Sequence, residues 1–578
     1  MPHSQRHDDH DDHDDHDDHD DTNTPLTTSG SQHSWGQRIQ HGLREWWESW
    51  GQRYGTALLA GLLGSLAALL VMGVLRLWWG TLTPPELVGE RLLPLIPADQ
   101  FVALLARFKP NPKTDPLGLA LLGQVVLGVL IALPFAYFAR PAQNTATHWP
   151  HRRGWLVAGV VALLMELVAL ALFWPVLQAG IYGDPFDRAR LLTAVSLLLT
   201  FSAYAAVTLL ANHWLNWRLR PVSASDTVRG ELSGLPVPAT TGVSRRAALE
   251  AGGAVVLSLA AGSVAFNRLL AEWYARSNLT YEGMRTPNDI TSAITPNGDF
   301  YIVSKNVLDP TVQVERWRLE ITGLVRASRS WTMEQLRALE SESRVITLEC
   351  ISNEVGGHLI STAQWRGVSL QTLLAAAGGA LPTATHLIFF GVDGYATSLP
   401  LVDLLQARTL LAWEMNGQPL PDRHGFPLRA LVAGRYGEQS AKWLSRIELT
   451  DQPYKGFYQS QGWSDGPLST MSRIDTPAST APFGAVTVSG IAFAGLRAIT
   501  RIEISTDSGA SWHDATLMPT LSDQSWRFWQ WIWRPAAPGR YMLVVRATDI
   551  SGALQIGKVQ PGVPNGATGW HSVQVLVK

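Results

Sequence analysis

Residues 411–429 read LAWEMNGQPLPDRHGFPLR, and the order of residue types in them sets the reading of the C-terminal half. A strand-like apolar run gives way at Asn416-Gly417 to a segment crowded with turn residues. Asp422, Arg423, His424 and Arg429 lie in or at the end of it, before apolar sequence resumes. Two neighbouring segments extend the pattern. Upstream, 346–370 (ITLECISNEVGGHLISTAQWRGVSL) puts Cys350 where an apolar strand ends and a polar, glycine-containing loop begins. Such a position fixes a sulfur while leaving it reachable. Downstream, 440–444 (SAKWL) brings Ser440 and Lys442, and Asp393-Gly394-Tyr395 marks a turn between the two. If His424, Arg429 and Lys442 converge, they suit a phosphate-bearing ligand; if they scatter, they are surface charges.

Cys350 is the single cysteine of 578 residues. An intrachain disulfide, CxxCH haem attachment, a Cys-ligated iron–sulfur cluster and a Cys₄ zinc site are therefore excluded. The thiol is left with two roles, a small buried hydrophobe or a reactive or metal-binding thiolate. Around it, 280–475 has an ordinary globular composition. Short strands (317–321, 345–348, 387–390) alternate with helical stretches (332–340, 368–377), a mixed α+β pattern. Beyond the Pro- and Ser-rich 475–484, five strands at 485–491, 499–505, 526–533, 541–547 and 571–577 predict a β-sandwich over 482–578. The strand WRFWQWIW (526–533) puts Trp529, Trp531 and Trp533 on one face and Phe528 and Ile532 on the other. One face packs inward and the other needs a cover, either a second copy of the chain or the preceding domain.

The N-terminal half is different in kind. Only 16% of the chain is charged, against about 25% in a soluble globular protein. Four apolar runs, 55–75, 117–139, 155–177 and 191–211, are each near the roughly 20 residues that cross a bilayer. Glu166 is their one charge. Trp46, Trp47, Trp50, Trp78, Trp79, Trp149, Trp155, Trp214 and Trp217 cluster at their ends, as at membrane interfaces. A fifth, shorter run at 251–266 follows Ser244-Arg245-Arg246-Ala247-Ala248-Leu249. That hexapeptide is either a positive-inside anchor or, by resemblance, a twin-arginine export signal. Segment 51–270 is thus expected to be a membrane domain of about five spans. Basic residues in 212–246 and 140–154 put those loops in the cytoplasm and everything after 266 outside, although the outer loop 76–116 also holds five basic residues. His148, His151 and His213 sit at span ends, so no bis-His haem site is evident. Residues 7–21, five copies of HDD, are expected to be disordered, as a solvated tail or a weak trap for divalent metal, and 1–50 forms a tail with a juxtamembrane segment. Outside the first 21 residues the balance is +7, too mild for a nucleic-acid binder.

The motifs TLECISN (347–353), AQWRGVSL (363–370), DGYATSLPL (393–401), the 411–429 stretch and AKWLSRIEL (441–449) resemble the molybdopterin-binding domain of the sulfite oxidase superfamily. EISTDSGASW (503–512), WRFWQWIW and VRATDISGALQ (545–555) resemble the Ig-like dimerisation domain that follows it in that family. The resemblance implies an oxidoreductase with a molybdenum–molybdopterin cofactor. Cys350 is the implied metal ligand, and Asn306, Asn353, Asp393, His424, Arg429, Ser440 and Lys442 are implied cofactor contacts. Arg429 and Lys442 would neutralise the pterin phosphate, and His424 would donate to it or to the ring. Trp463 and Tyr458 fall nearest the family's active-site tyrosine, with Tyr454 close by. Sulfite oxidases follow the ligand Cys with Gly-Asn-Arg-Arg; here the run is Ser352-Asn353-Glu354-Val355, and Ser304 stands at another anion-binding Arg position. Lys305 and Arg366 are the nearest replacement cations by sequence.

The expectation is a multi-pass cell-membrane protein: an α-helical bundle, a mixed α+β molybdopterin domain at 280–475 and an Ig-like sandwich. Its catalytic domain lies on the periplasmic side and dimerises through 482–578. It passes an oxygen atom and two electrons between a small molecule and a separate carrier, a cytochrome or quinone. An S- or N-oxide reductase is the alternative within the class. A non-enzymatic membrane scaffold with a degenerate domain is the alternative outside it.

Overall fold

The computed structural model describes residues 35–97, 100, 114–139, 149–218, 291–306 and 309–578. The His/Asp repeat, the Arg245-Arg246 motif and the fifth apolar run all lie outside the described residues.

Four helical stretches, Tyr54–Trp79, Gly118–Phe138, Arg152–Val176 and Phe186–Asn216, are long and apolar enough to cross a membrane. Small side chains let them approach: Ala68, Ala158, Ala162 and Ala205 pack with Phe135, Tyr204 and Leu209. Leu70, Leu156 and Leu191 project outward. Glu166 is buried, and its Oε2 lacks a hydrogen-bond partner among the described residues.

The central region holds two five-stranded sheets. The first runs Arg329–Trp331, Leu319–Gly323, Leu444–Thr450, His386–Gly391, Ala396–Pro400. Trp317, Ile321, Phe389, Ile447 and Leu449 form part of its core. The second runs Ser341–Glu349, Ile360–Ser369, Leu410–Met415, Gln418–Pro419, with Arg429–Leu431 paired to Leu410–Met415. Ile346, Leu348, Ala363 and Trp365 are buried beneath it. The α+β pattern expected from the sequence is therefore present, and Cys350 immediately follows the first strand of the second sheet.

The C-terminal region is a curled sheet of eight strands, joined through His513–Leu517. The two faces of Arg527–Trp533 have separate fates. Trp529 and Trp533 enter the sheet's own core with Val488, Ile502 and Leu543. Phe528 packs on a cluster that includes Ile351, Ile360 and Tyr436 of the preceding domain, and Ile532 is exposed.

The bundle also grips the central region, which the sequence did not foretell. Two loops do this, both leaving the bundle at the same end. From the loop between the third and fourth of these helices, the Gly180 amide donates to the Val392 carbonyl at 2.8 Å. Ile181 and Tyr182 carbonyls accept from the Thr311 and Gln313 amides at 3.0 and 2.9 Å. Phe186, opening the fourth, packs with Ile388, Phe390 and Ala396. From the loop after the first of them, the helix Pro84–Leu92 leads to Leu93, which packs on the central core, and the Pro94 carbonyl accepts from Ser460 Oγ at 3.0 Å. The contact is close enough to demand glycine at 394: its φ is +77°, and a Cβ there would lie 2.9 Å from that of Ala179.

Candidate active site

Cys350 is 6% exposed, and its amide donates to the Leu359 carbonyl at 2.9 Å. Its Sγ lies 3.0 Å from Ser352 Oγ. Burial, followed by the nearby Glu438 charge, pushes the thiol up to about 12. A bound metal cation reverses that preference, because coordination favours the thiolate.

Cys350 lines a solvent-open cleft whose atom-free space, open solvent included, is about 690 Å³. Arg423, His424, Arg429 and Lys442 line it together. His424 closes the turn Asp422–His424 and is followed by Gly425 at φ +111°, where a Cβ would meet that of Lys442 at 2.9 Å. The His424 Nε2–H donates to the Asn297 carbonyl at 3.0 Å. Burial, then the Arg429 charge, holds the ring down to about 3, so it is neutral and Nδ1 can only accept. Arg429 sits over the Trp365 ring at 5.6 Å and gives Nη1–H to the His424 carbonyl at 3.3 Å. Its Nε is buried with no partner among the described residues. Burial lowers Arg429 to about 10, so it stays cationic at neutral pH. Lys442 Nζ donates to the Arg423 carbonyl at 3.1 Å, and Ser440 Oγ accepts from the Val432 amide at 3.1 Å.

Around the sulfur the lining changes character. Tyr458 and Trp463 stack with ring centroids 4.3 Å apart, and Trp463 Nε1 is buried without a partner among the described residues. Tyr395 Oη donates to the Glu438 carbonyl at 2.5 Å. Asp393 accepts from Asn306 Nδ2 at 2.8 Å and from the Tyr395 amide at 3.1 Å. Glu438 went unrecognised in the sequence. It lines the cleft within the GEQS run just before the matched AKWL motif, and burial pushes its carboxyl up to about 8.

Some expected residues lie elsewhere. Asn353 does not line the cleft: its Nδ2 donates to Glu349 and its Oδ1 accepts from the Leu359 amide, both at 2.9 Å, bracing the loop behind Cys350. Tyr454 is 41% exposed against Phe390. Val355 faces the C-terminal region near Gly569, and Arg366 pairs at the surface with Glu414.

The donor set fits a phosphate-bearing cofactor that carries a metal. The lining combines cations, the unpartnered Arg429 Nε and a lone buried thiol. Among the described residues, no group of three His, Cys, Asp or Glu side chains is placed to hold a metal. These features suit a molybdopterin-binding domain, and comparison with known proteins agrees. Residues 306–458 match the oxidoreductase molybdopterin-binding domain, and 471–575 match the Mo-co oxidoreductase dimerisation domain. Mitochondrial sulfite oxidase of Rattus norvegicus is 33% identical over 342 residues, covering 50% of this chain and 62% of the relative. Sulfite oxidase of Gallus gallus is 30% identical over 336 residues, covering 48% and 72%. Inducible nitrate reductase [NADH] 2 of Glycine max is 30% identical over 308 residues, covering 43% and 34%. The chain belongs to the sulfite oxidase family. It spans about three fifths of the length of the rat relative.

Proposed function

We propose that this protein is a membrane-anchored molybdenum oxidoreductase whose substrate is a small, weakly charged oxide rather than sulfite. The observation that carries the reading is the make-up of the cleft around Cys350. Tyr458, Trp463 and Tyr395 wall it, Glu438 adds an acid, and neither Val355 nor Arg366 faces it. Sulfite and nitrate, named for the relatives, are anions that need cationic donors.

A molybdenum–pterin group, when bound, would supply two-electron oxygen-transfer chemistry. Cys350 would hold the metal. Arg423, Arg429 and Lys442 would neutralise the phosphate, with His424 and Arg429 braced against Asn297 and Trp365. Tyr458 and Trp463 orient the substrate by packing, and Glu438 holds a proton near the reacting atoms. Reduction of an S- or N-oxide consumes two electrons and two protons and releases water. The electrons come from a separate carrier, a cytochrome or a quinone.

The docking loops support a sidedness. Both lie at the end of the bundle opposite to Arg152 and Asn216, next to which the basic segments 140–154 and 212–246 stand in the sequence, and this favours an extracytoplasmic catalytic domain. Arg76, in the last turn of the first helix, pairs with Glu86 at 2.8 Å, which lessens the opposing bias of the segment that follows. A folded, cofactor-loaded domain on that side gives the Arg245-Arg246 motif a purpose in export.

The test is molybdenum analysis of the full chain followed by steady-state kinetics with sulfite and with dimethyl sulfoxide. Turnover of the sulfoxide with reduced dye, and weak activity on sulfite, is expected. A micromolar Michaelis constant for sulfite with fast turnover would refute the reading.

A further inference from the structure

We propose that Glu90, contributed by the membrane domain, is a specificity-determining residue of the cleft: it holds Lys305 in a closed ion pair and so denies the site its cation for anionic substrates. This rests on the reading of the cleft as the molybdenum site and deepens it, since it assigns substrate charge to a residue outside the catalytic domain.

Lys305 lines the cleft together with Cys350, and its side chain is only 3% exposed. An ammonium has three N–H donors. Three acceptors take them: Glu90 Oε1 at 2.5 Å, Asn306 Oδ1 at 3.0 Å and the Asp393 carbonyl at 3.1 Å. No donor is left for a ligand, and the charge is cancelled at contact distance. Asn306 in turn donates to Asp393, so the Lys305 head group sits in a fixed frame. A further carboxylate, Asp393, lines the same cleft, as does the protonated Glu438. An entering dianion would meet this set without a free cation in reply from Lys305.

The position of Glu90 is built rather than incidental. It lies near the end of the helix Pro84–Leu92, whose start is capped by Thr83 with Glu86. The next residues, Leu93 and Pro94, are fastened to the central core and to Ser460, two residues from Tyr458. The docking that anchors the bundle therefore also aims the carboxylate. By sequence, Lys305 was a candidate to restore anion binding; the structure supplies the counter-charge from a segment 215 positions away.

The experiment uses the full chain in detergent, loaded with cofactor, and titrates sulfate as an unreactive divalent anion by calorimetry at constant ionic strength. Wild type should bind sulfate in the millimolar range or weaker. Glu90→Gln should bind it about ten-fold tighter or more, because one unit of opposing charge is removed at contact distance. The double variant Glu90→Gln/Lys305→Met should return to weak binding, an effect that a purely structural role for Glu90 does not produce. If Glu90→Gln does not fold, Glu90→Asp, which reaches Lys305 less closely, should tighten sulfate binding by a smaller factor. Micromolar binding by wild type, or equal binding by wild type and a folded position-90 variant, overturns the proposal. Molybdenum and pterin content of the same samples separates the two claims. Their absence defeats the assignment of the cleft, whereas their presence with unchanged sulfate affinity defeats the role of Glu90 alone.

Discussion

At the level of single residues, the sequence exposed the groups whose chemistry is intrinsic and hid those whose chemistry comes from surroundings. A lone cysteine at a strand end is conspicuous, and Cys350 lines the cleft with His424, Arg429 and Lys442. Replacing Cys350 with Ser should leave pterin bound by the cationic residues and lower turnover by at least about two orders of magnitude, more than the 10–100-fold typical of a residue behind a ligand. Pterin fluorescence after release and a turnover assay check both halves of that statement. Glu438 escaped notice because its character is set by burial alone. An acid raised from 4.5 to about 8 binds more protons folded than unfolded in that interval, so the cofactor-free protein should lose stability as pH rises from about 4.5 to 8. The contribution is at most about 1.4 kcal/mol per pH unit. Glu438→Gln should flatten this slope in denaturant titrations at a series of pH values, and an unchanged slope would contradict the assignment. The direction of the His424 hydrogen bond was equally hidden, since its partner Asn297 is 127 positions away.

Elements were read more reliably than their contacts. The four apolar runs and the strands of both soluble regions follow from hydrophobic period and length, which are local properties. The docking loops carry no such signal, because Gly180, Ile181 and Tyr182 contribute backbone groups and only the partner surface gives these meaning. Substituting Gly394 with Ala forces a Cβ into Ala179 at a positive φ. Limited proteolysis of the full chain should then cut at the 177–186 loop faster than in wild type, while the central sheets stay intact. In the strand Arg527–Trp533 the alternation was legible but the partner of each face was not. Trp529 is 1% exposed and its indole N–H donates to the Ile491 carbonyl at 3.2 Å. Trp529→Ala should cost about 3–5 kcal/mol, whereas Ile532→Ala, on the exposed side of the same strand, should cost less than about 0.5 kcal/mol, measured by chemical denaturation.

For the molecule as a whole, the family assignment brings a dimerisation-type domain, and its surface offers a place for a partner. Ile550, Leu554, Ile556 and Val559 are all exposed within one ten-residue segment. Single-molecule mass photometry of the full chain should give a dimer, and Ile550→Asp with Val559→Asp should give a monomer of unchanged fold; a monomeric wild type would refute it. The Lys305–Glu90 pair has a different consequence, for inheritance. Grafting this catalytic region onto a bundle with an apolar side chain at position 90 would bury Lys305 without its counter-charge, a penalty of about 3–5 kcal/mol. An exchange of the N-terminal helices would incur that penalty each time, unless the side chain at position 305 changed with the one at position 90.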